Sequence, residues 1–164
     1  QATQALKHKG DPMIDREQFI DLIIEPTLEE LGMFSTAAVE LVLGTAIQES
    51  RLTYIKQLGT GPALGVCQME PRTHDDIWNN FLEYREKMRQ AVSEIGGPDA
   101  KELIWNLKYS VAMCRVHYRR VRFPLPQAGD LKGQAQYWKD HYNTDLGRGT
   151  TEEYISNWRT AHES

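Results

Sequence analysis

The chain has 164 residues, of which 40% are hydrophobic and 26% are charged, as in an ordinary globular domain. This length predicts one domain with its own core, and the composition excludes fibrous and low-complexity classes. A net charge of −4 argues against binding nucleic acid through bulk positive charge. No apolar run approaches the roughly 18 residues of a membrane span, so membrane insertion is not expected. Two cysteines do not predict a disulfide framework.

The N-terminal residues differ in character from the rest. Residues 1–12 show no periodicity, and Met13 is followed at once by a helical pattern. We interpret 1–12 as a lead that is either flexible or foreign to the natural protein. Residues 13–164 are then the single folded domain.

The first predicted helix begins at Asp15, a residue type that caps helix N-termini. Its apolar side is predicted to contain Phe19, Leu22 and Ile23. Pro26 is expected to break or kink this helix, because proline lacks the N–H that an interior position needs.

A second helix, over 36–51, is predicted to start at the cap residue Ser35. It is apolar on almost all sides, so we expect it in the middle of the core. The chain then changes character over 52–69, which predicts a glycine-rich loop or a small β-hairpin. Its turn-forming residues include Gly59, Gly61, Pro62 and Gly65.

The remaining pattern is helical and contains no internal repeat. Apolar residues three and four apart predict one long helix from Asp99 to about Val121. Further helical segments are predicted over 71–78, 82–95, 130–142 and 150–162. Most tryptophans should be core residues, although one could line a cleft: Trp78, Trp105, Trp138 and Trp158. The predicted fold class is therefore mainly α, a single compact helical domain.

Glu49 is the residue that most suggests chemistry. Ala38, Val42 and Ala46 precede it at helical spacing, so its carboxyl shares an apolar face of the most buried predicted helix. Such a carboxyl is poorly solvated as an anion, which raises its pKa. General-acid catalysis at neutral pH needs a carboxylic acid of this kind. The alternative is that Glu49 turns outward and pairs with Arg51.

Short motifs at and after this glutamate resemble those of a known family. The motifs are Gln48-Glu49-Ser50, Gly65-Val66-Cys67-Gln68 and Tyr142-Asn143. In this order they are similar to the Glu-Ser, Gly-Leu-Met-Gln and Ala-Tyr-Asn-Ala-Gly motifs of the lytic transglycosylases, the goose-type-lysozyme-like enzymes of the lysozyme superfamily. The resemblance spans about 35–158. It departs from the family at Cys67, where methionine is usual, and in lacking small residues around the Tyr-Asn pair.

The resemblance implies a lysozyme-like fold and Glu49 as the single catalytic acid/base, cleaving the β-1,4 bond between MurNAc and GlcNAc in peptidoglycan. The substrate-binding residues that it implies are Ser50, Gly65, Gln68, Tyr142 and Asn143. Ser50 would orient the carboxyl or an N-acetyl group, and Tyr142 would place its hydroxyl beside Glu49. The loop glycines would let the backbone approach a sugar ring. The expected partner is the glycan strand, with no metal and no cofactor.

The reaction type is open between two mechanisms. A transglycosylase needs no second carboxylate because the sugar's own 6-hydroxyl attacks, whereas an inverting lysozyme-type hydrolase needs one to activate water. Glu70, Asp75 and Asp76 are candidates for that base. None of them lies in a matched motif, which favours the transglycosylase.

A small chain without a secretion signal resembles bacteriophage members of the family, either endolysins or virion-associated lysins. Such a protein is made in the host bacterial cytoplasm and then acts on the cell wall or travels in a virion. Two further hypotheses compete with an enzyme. The chain could be a non-catalytic wall-binding module, or it could be a structural phage protein.

Overall fold

Helices dominate the structure, a computed structural model that describes residues 12–143 and 147–163. Residues 1–11, nearly all of the predicted lead, lie outside the described part. The α-helices are α1 (Arg16–Gln18), α2 (Glu25–Glu30), α3 (Thr36–Ser50), α4 (Pro71–Asn80), α5 (Glu86–Ser93), α6 (Glu102–Trp105), α7 (Leu107–Arg119), α8 (Leu131–His141) and α9 (Thr151–Glu163). The described residues form no β-strand, so the predicted mainly α class is confirmed. No helix among them has the length and apolar character required to cross a membrane.

Helix α3 is the central element, as its sequence predicted. The hydroxyl of Ser35 accepts a hydrogen bond from the Ala38 N–H at 3.0 Å and begins the helix. α7, α8 and α9 all pack against α3. Gly44 allows α9 to lie close against α3, because a Cβ there would collide with the ring of Tyr154 on α9. The helix ends at Arg51, whose left-handed backbone turns the chain away.

The segment before α3 is one continuous helical path instead of two broken pieces. A π-helical turn, Phe19–Ile24, joins α1 to α2. A π-helix bonds residues five apart instead of four, which shifts the side chains that face the core. Phe19 and Ile24 are buried as a result, and Leu22 is 64% exposed. The predicted apolar side was therefore wrong at Leu22. Pro26 is the second residue of α2 and causes no break, because a proline is tolerated in the first turn of a helix.

The single long helix predicted from Asp99 is divided at Asn106. The Asn106 side chain accepts a hydrogen bond from the Tyr109 N–H at 3.0 Å and so caps α7. Its amide also donates to the Ile95 carbonyl at 2.9 Å. This second contact crosses to another segment and holds the break in place. Trp105, just before it, is 66% exposed instead of packing in the core.

The glycine-rich segment is a folded loop instead of a hairpin. Only isolated bridges occur in it, between Lys56 and Leu64 and between Leu64 and Met69. The Gly65 N–H donates to the Ile55 carbonyl at 2.7 Å, so the loop doubles back on itself. Some of its apolar side chains are buried in the core, namely Leu52, Leu64, Val66, Cys67 and Met69. Tyr54, Ile55 and Leu58 are exposed.

Gly65 has a structural requirement that an alanine substitution tests. Its φ is +81°, and a Cβ would collide with the Leu103 carbonyl and lie 2.6 Å from the Ser110 hydroxyl. Gly59 has the same φ of +81° but nothing within 4 Å of its Cβ position. Gly59→Ala should thus lower the free energy of unfolding by about 1 kcal/mol through backbone strain alone.

Gly65→Ala should lower it by several kcal/mol, because overpacking of about 1–3 kcal/mol adds to the same backbone strain. Urea unfolding of both variants measures the difference. Equal losses for Gly59→Ala and Gly65→Ala would show that the contacts with Leu103 and Ser110 are not what requires the glycine.

Candidate functional site

A cleft of about 700 Å³ opens where the end of α3 meets the glycine-rich loop. Its volume is in the range of ligand-binding sites. α4 and α7 contribute to its walls, together with the segment that follows α8. The lining residues are Glu49, Gln57, Ala63, Gln68, Met69, Glu70, Arg72, Thr73, His117, Tyr142, Asn143, Gly147 and Arg148.

Glu49 lies in the last turn of α3, half-buried at this cleft. The indole N–H of Trp138 donates a hydrogen bond to its Oε2 at 2.9 Å. Burial of the carboxyl raises the pKa of Glu49 from 4.5 to about 7, against the opposing effect of the Trp138 bond. Arg51 is exposed beyond the helix end and makes no ion pair with Glu49. The Glu49 side chain therefore points into the protein toward Trp138, and the outward ion pair with Arg51 does not form.

Trp138 is held firmly enough to fix the position of its N–H. It is fully buried on α8, and its ring lies 5.4 Å from that of Tyr154. Gly149 packs against the ring edge, where a Cβ would lie only 2.5 Å from the indole. Because the indole cannot shift, one oxygen of Glu49 stays anchored.

Gln68 and Tyr142 line the cleft, but each also has a structural bond. The Gln68 amide donates to the Gly65 carbonyl at 2.9 Å, which keeps the tight turn closed. The Tyr142 hydroxyl donates to the Cys67 carbonyl at 2.6 Å, and this bond joins the end of α8 to the loop. The hydroxyl that the resemblance places beside Glu49 therefore also donates a hydrogen bond to the backbone.

Asn143 also lines the cleft, and its side chain holds the local chain. Its oxygen accepts a hydrogen bond from Lys139 Nζ at 2.9 Å. The same ammonium donates to the Gly147 and Gly149 carbonyls at 3.2 and 2.7 Å. Lys139 thus ties both described ends of the segment after α8 together beside the cleft.

Ser50 and Gly65 correct the expectations drawn from the motifs. Ser50 is 1% exposed, and its hydroxyl donates to the Ala46 carbonyl at 3.1 Å and accepts from the Leu52 N–H at 3.2 Å. It therefore helps to end α3 and contacts neither the carboxyl nor the cleft. Gly65 is also absent from the lining, because it faces the α6–α7 region inside the protein.

Several lining residues carry no motif signal in the sequence. Among the carboxylates considered as bases, only Glu70 reaches the cleft. Asp75 bonds His74 at 2.9 Å, and Asp76 bonds Arg120 at 2.7 Å. His117 belongs to no motif, and in the sequence it looks like a surface residue or a hydrogen-bonded core residue. The position of Glu70 directly after the glycine-rich loop is the one clue available.

Comparison of the chain with protein-family models, with curated proteins and with solved structures gives no match. In the part of the chain that the structure describes, no three or more His, Cys, Asp or Glu side chains are grouped to hold a metal ion. The cleft brings together the Glu49 carboxyl, its indole donor and several polar side chains.

The Trp138 hydrogen bond should be measurable as an effect on the Glu49 proton. A donor to the carboxylate favours the charged form, so Trp138→Phe should raise the pKa of Glu49 further above its ordinary value. A hydrogen bond to a charged group contributes about 1.5–3 kcal/mol. Without this bond, Glu49 in Trp138→Phe should bind its proton at least about tenfold more tightly than in wild type. A carbon-13 NMR titration of the glutamate carboxyl reports this directly. Tyr154→Phe is the matched control, because it alters an aromatic neighbour without touching Glu49. An unchanged or lower pKa in Trp138→Phe would contradict the role of this donor.

The raised pKa also makes stability depend on pH. Because the folded protein binds this proton more tightly than the unfolded chain, the contribution of Glu49 to stability falls as pH rises from about 4.5 to about 7. The loss is on the order of 3 kcal/mol. Glu49→Gln should therefore match wild type in acid and exceed it in stability above about pH 7.

Chemical unfolding across this pH range, with the exposed Glu29→Gln as the control for removing a charge, measures the effect. A Glu49→Gln protein that is less stable than wild type only at neutral pH would mean that the ionised carboxylate stabilises the fold.

Proposed function

We propose that this protein degrades peptidoglycan, cleaving the β-1,4 bond between MurNAc and GlcNAc with Glu49 as its single acid/base. The reaction that we favour is that of a lytic transglycosylase. The observation that carries the proposal is the Glu49 carboxyl, half-buried at a cleft of glycan-binding size and held by Trp138, with a pKa of about 7. A group with this pKa is present as both acid and base near neutral pH, which a residue in both roles needs.

The proposed reaction has two steps. Protonated Glu49 gives its proton to the glycosidic oxygen, the C1–O bond of MurNAc breaks, and GlcNAc leaves with a free hydroxyl. The Glu49 carboxylate then accepts the proton of the MurNAc 6-hydroxyl as that oxygen bonds to C1. The product end is 1,6-anhydro-MurNAc, water is not consumed, and Glu49 is protonated again. Anchoring one oxygen to Trp138 leaves the other to exchange the proton.

The rest of the cleft supports a glycan that carries acidic groups. The side chains of Gln68 and Asn143 offer amide groups at its wall. Arg72 and Arg148 line the same cleft, and arginine pairs well with carboxylates such as those of peptide stems. These features suit a peptidoglycan strand better than an uncharged polysaccharide.

Glu70 favours a second candidate, a lysozyme-type hydrolase of the same bond. It lines the cleft together with Glu49 and is about half exposed. In that reaction the Glu70 carboxylate would take a proton from water as the water attacks C1. The product would then have a reducing MurNAc end.

The proposed setting is that of a bacteriophage lysin, acting either at lysis or from the virion on the host cell wall. A non-catalytic wall-binding module or a structural phage protein would have no use for a half-buried acid with a raised pKa. The anchored Glu49 therefore favours an enzyme over both.

Glu49→Gln should abolish cleavage of purified sacculi while the protein stays folded. The amide keeps the shape of the side chain and removes the proton donor, so turnover should fall by at least about 100-fold. Mass spectrometry of the muropeptides measures both turnover and product chemistry, and 1,6-anhydro ends are expected from wild type. Near wild-type turnover by Glu49→Gln would remove Glu49 from the mechanism.

Glu70→Gln separates the two reactions. A transglycosylase should keep most of its activity in this variant, because no water has to be activated. Loss of activity together with reducing ends from wild type would identify the hydrolase instead. No muropeptide release by wild type would overturn the enzyme and leave a wall-binding or structural protein.

A further inference from the structure

His117 is a cleft residue that the proposed reaction has not used. It lies near the C-terminal end of α7 and lines the same cleft as Glu49. Its ring meets that of Tyr142 edge-on, with centroids 5.1 Å apart, and lies 6.3 Å from that of Tyr118. No described residue forms a hydrogen bond with its Nε2.

The other ring nitrogen has a partner that determines where the proton is. Arg120 Nη2 lies 2.9 Å from His117 Nδ1. A guanidinium has only donors, so Nδ1 must accept and cannot carry a proton. The neutral ring therefore carries its proton on Nε2, and this nitrogen is the donor.

An ion pair with Asp76 holds Arg120 in this position. Its Nη1 bonds the Asp76 carboxylate at 2.7 Å, and Asp76 also accepts from Asn80 at 2.7 Å on the same helix, α4. α4 and α7 are thus joined by a chain of polar contacts that runs from Asp76 through Arg120 to His117. The chain ends at the cleft.

The charges around the ring keep it neutral. Burial and the Arg120 cation lower the pKa of His117 from 6.5 to about 4, with a smaller effect of His141 in the same direction. Asp76 opposes them but has less effect than burial and Arg120. The Nε2–H is therefore a neutral donor throughout the pH range in which Glu49 titrates.

We propose that the Nε2–H of His117 donates a hydrogen bond to a neutral oxygen of the bound glycan, either an N-acetyl carbonyl or a sugar hydroxyl. Arg120 and Asp76 are positioning residues that fix the tautomer. The inference rests on the proposed function, because the glycan is its ligand. A neutral donor matches these acceptors, since neither of them carries a charge.

The tautomer is tested first, without any substrate. Long-range proton–nitrogen NMR of the wild-type protein should show Nε2 protonated and Nδ1 unprotonated at neutral pH. Arg120→Lys keeps a cation that only donates and should preserve this state. Arg120→Leu should raise the pKa of His117 toward its ordinary value and mix the tautomers. A proton on Nδ1 in wild type would overturn the inference.

The ligand is tested by the kinetics of sacculus cleavage. His117→Leu removes the donor and should raise KM by about two- to tenfold with kcat little changed, as expected for one lost hydrogen bond made equally in ground and transition states. His117→Gln restores an N–H donor and should recover part of the loss. His141→Leu is the control, because His141 does not line the cleft. A purely structural role for His117 would reduce the amount of active protein and leave KM unchanged.

The failures of the two proposals are distinguishable. If wild type cleaves sacculi and His117→Leu keeps its KM and kcat, the role of His117 is overturned and the proposed function stands. If wild type does not cleave sacculi, the proposed function fails, and the glycan as the ligand of His117 fails with it.

Discussion

The half-buried carboxyl of Glu49 is the constraint on which the rest of the structure depends. Removing a carboxylate from water favours its protonated form, and an isolated, fully buried group would keep its proton far above neutral pH. The Trp138 hydrogen bond offsets part of that penalty, and the pKa comes to about 7. α3 must be central and apolar to supply the burial, and α8 must lie directly behind it to supply the donor.

The walls of the cleft are held together by hydrogen bonds, several of them from side chains in the family-like motifs. Tyr142 joins α8 to the loop through the Cys67 carbonyl. The Gln68 amide closes the turn at Gly65 in the loop. The Lys139 ammonium bonds the Gly149 carbonyl in the segment after α8. These bonds give the cleft its shape without any ligand. Residues in the motifs therefore stabilise the structure of the cleft and also contribute polar groups to its surface.

Local signals predicted the starts of α1 and α3, because a cap bonds to backbone only a few residues away. Ser35 is an example, with its bond to the Ala38 N–H. The interruption at Asn106 was not predictable, because the bond that holds it reaches the Ile95 carbonyl in another segment. The π-helical turn that exposes Leu22 was likewise hidden, since a helical period of 3.6 assumes no extra residue.

The sequence by itself determined the helical class and placed Glu49 at the end of the most apolar helix, because both follow from periodicity along one segment. Only the tertiary structure decided its partner: Trp138 lies 89 positions away and is brought to the carboxyl by the packing of α8 on α3. It also decided that Ser50 serves the backbone and that His117 reaches the cleft. Periodicity fixes the face of a helix on which a side chain lies, but the atom that it meets is set by the elements packed against that face.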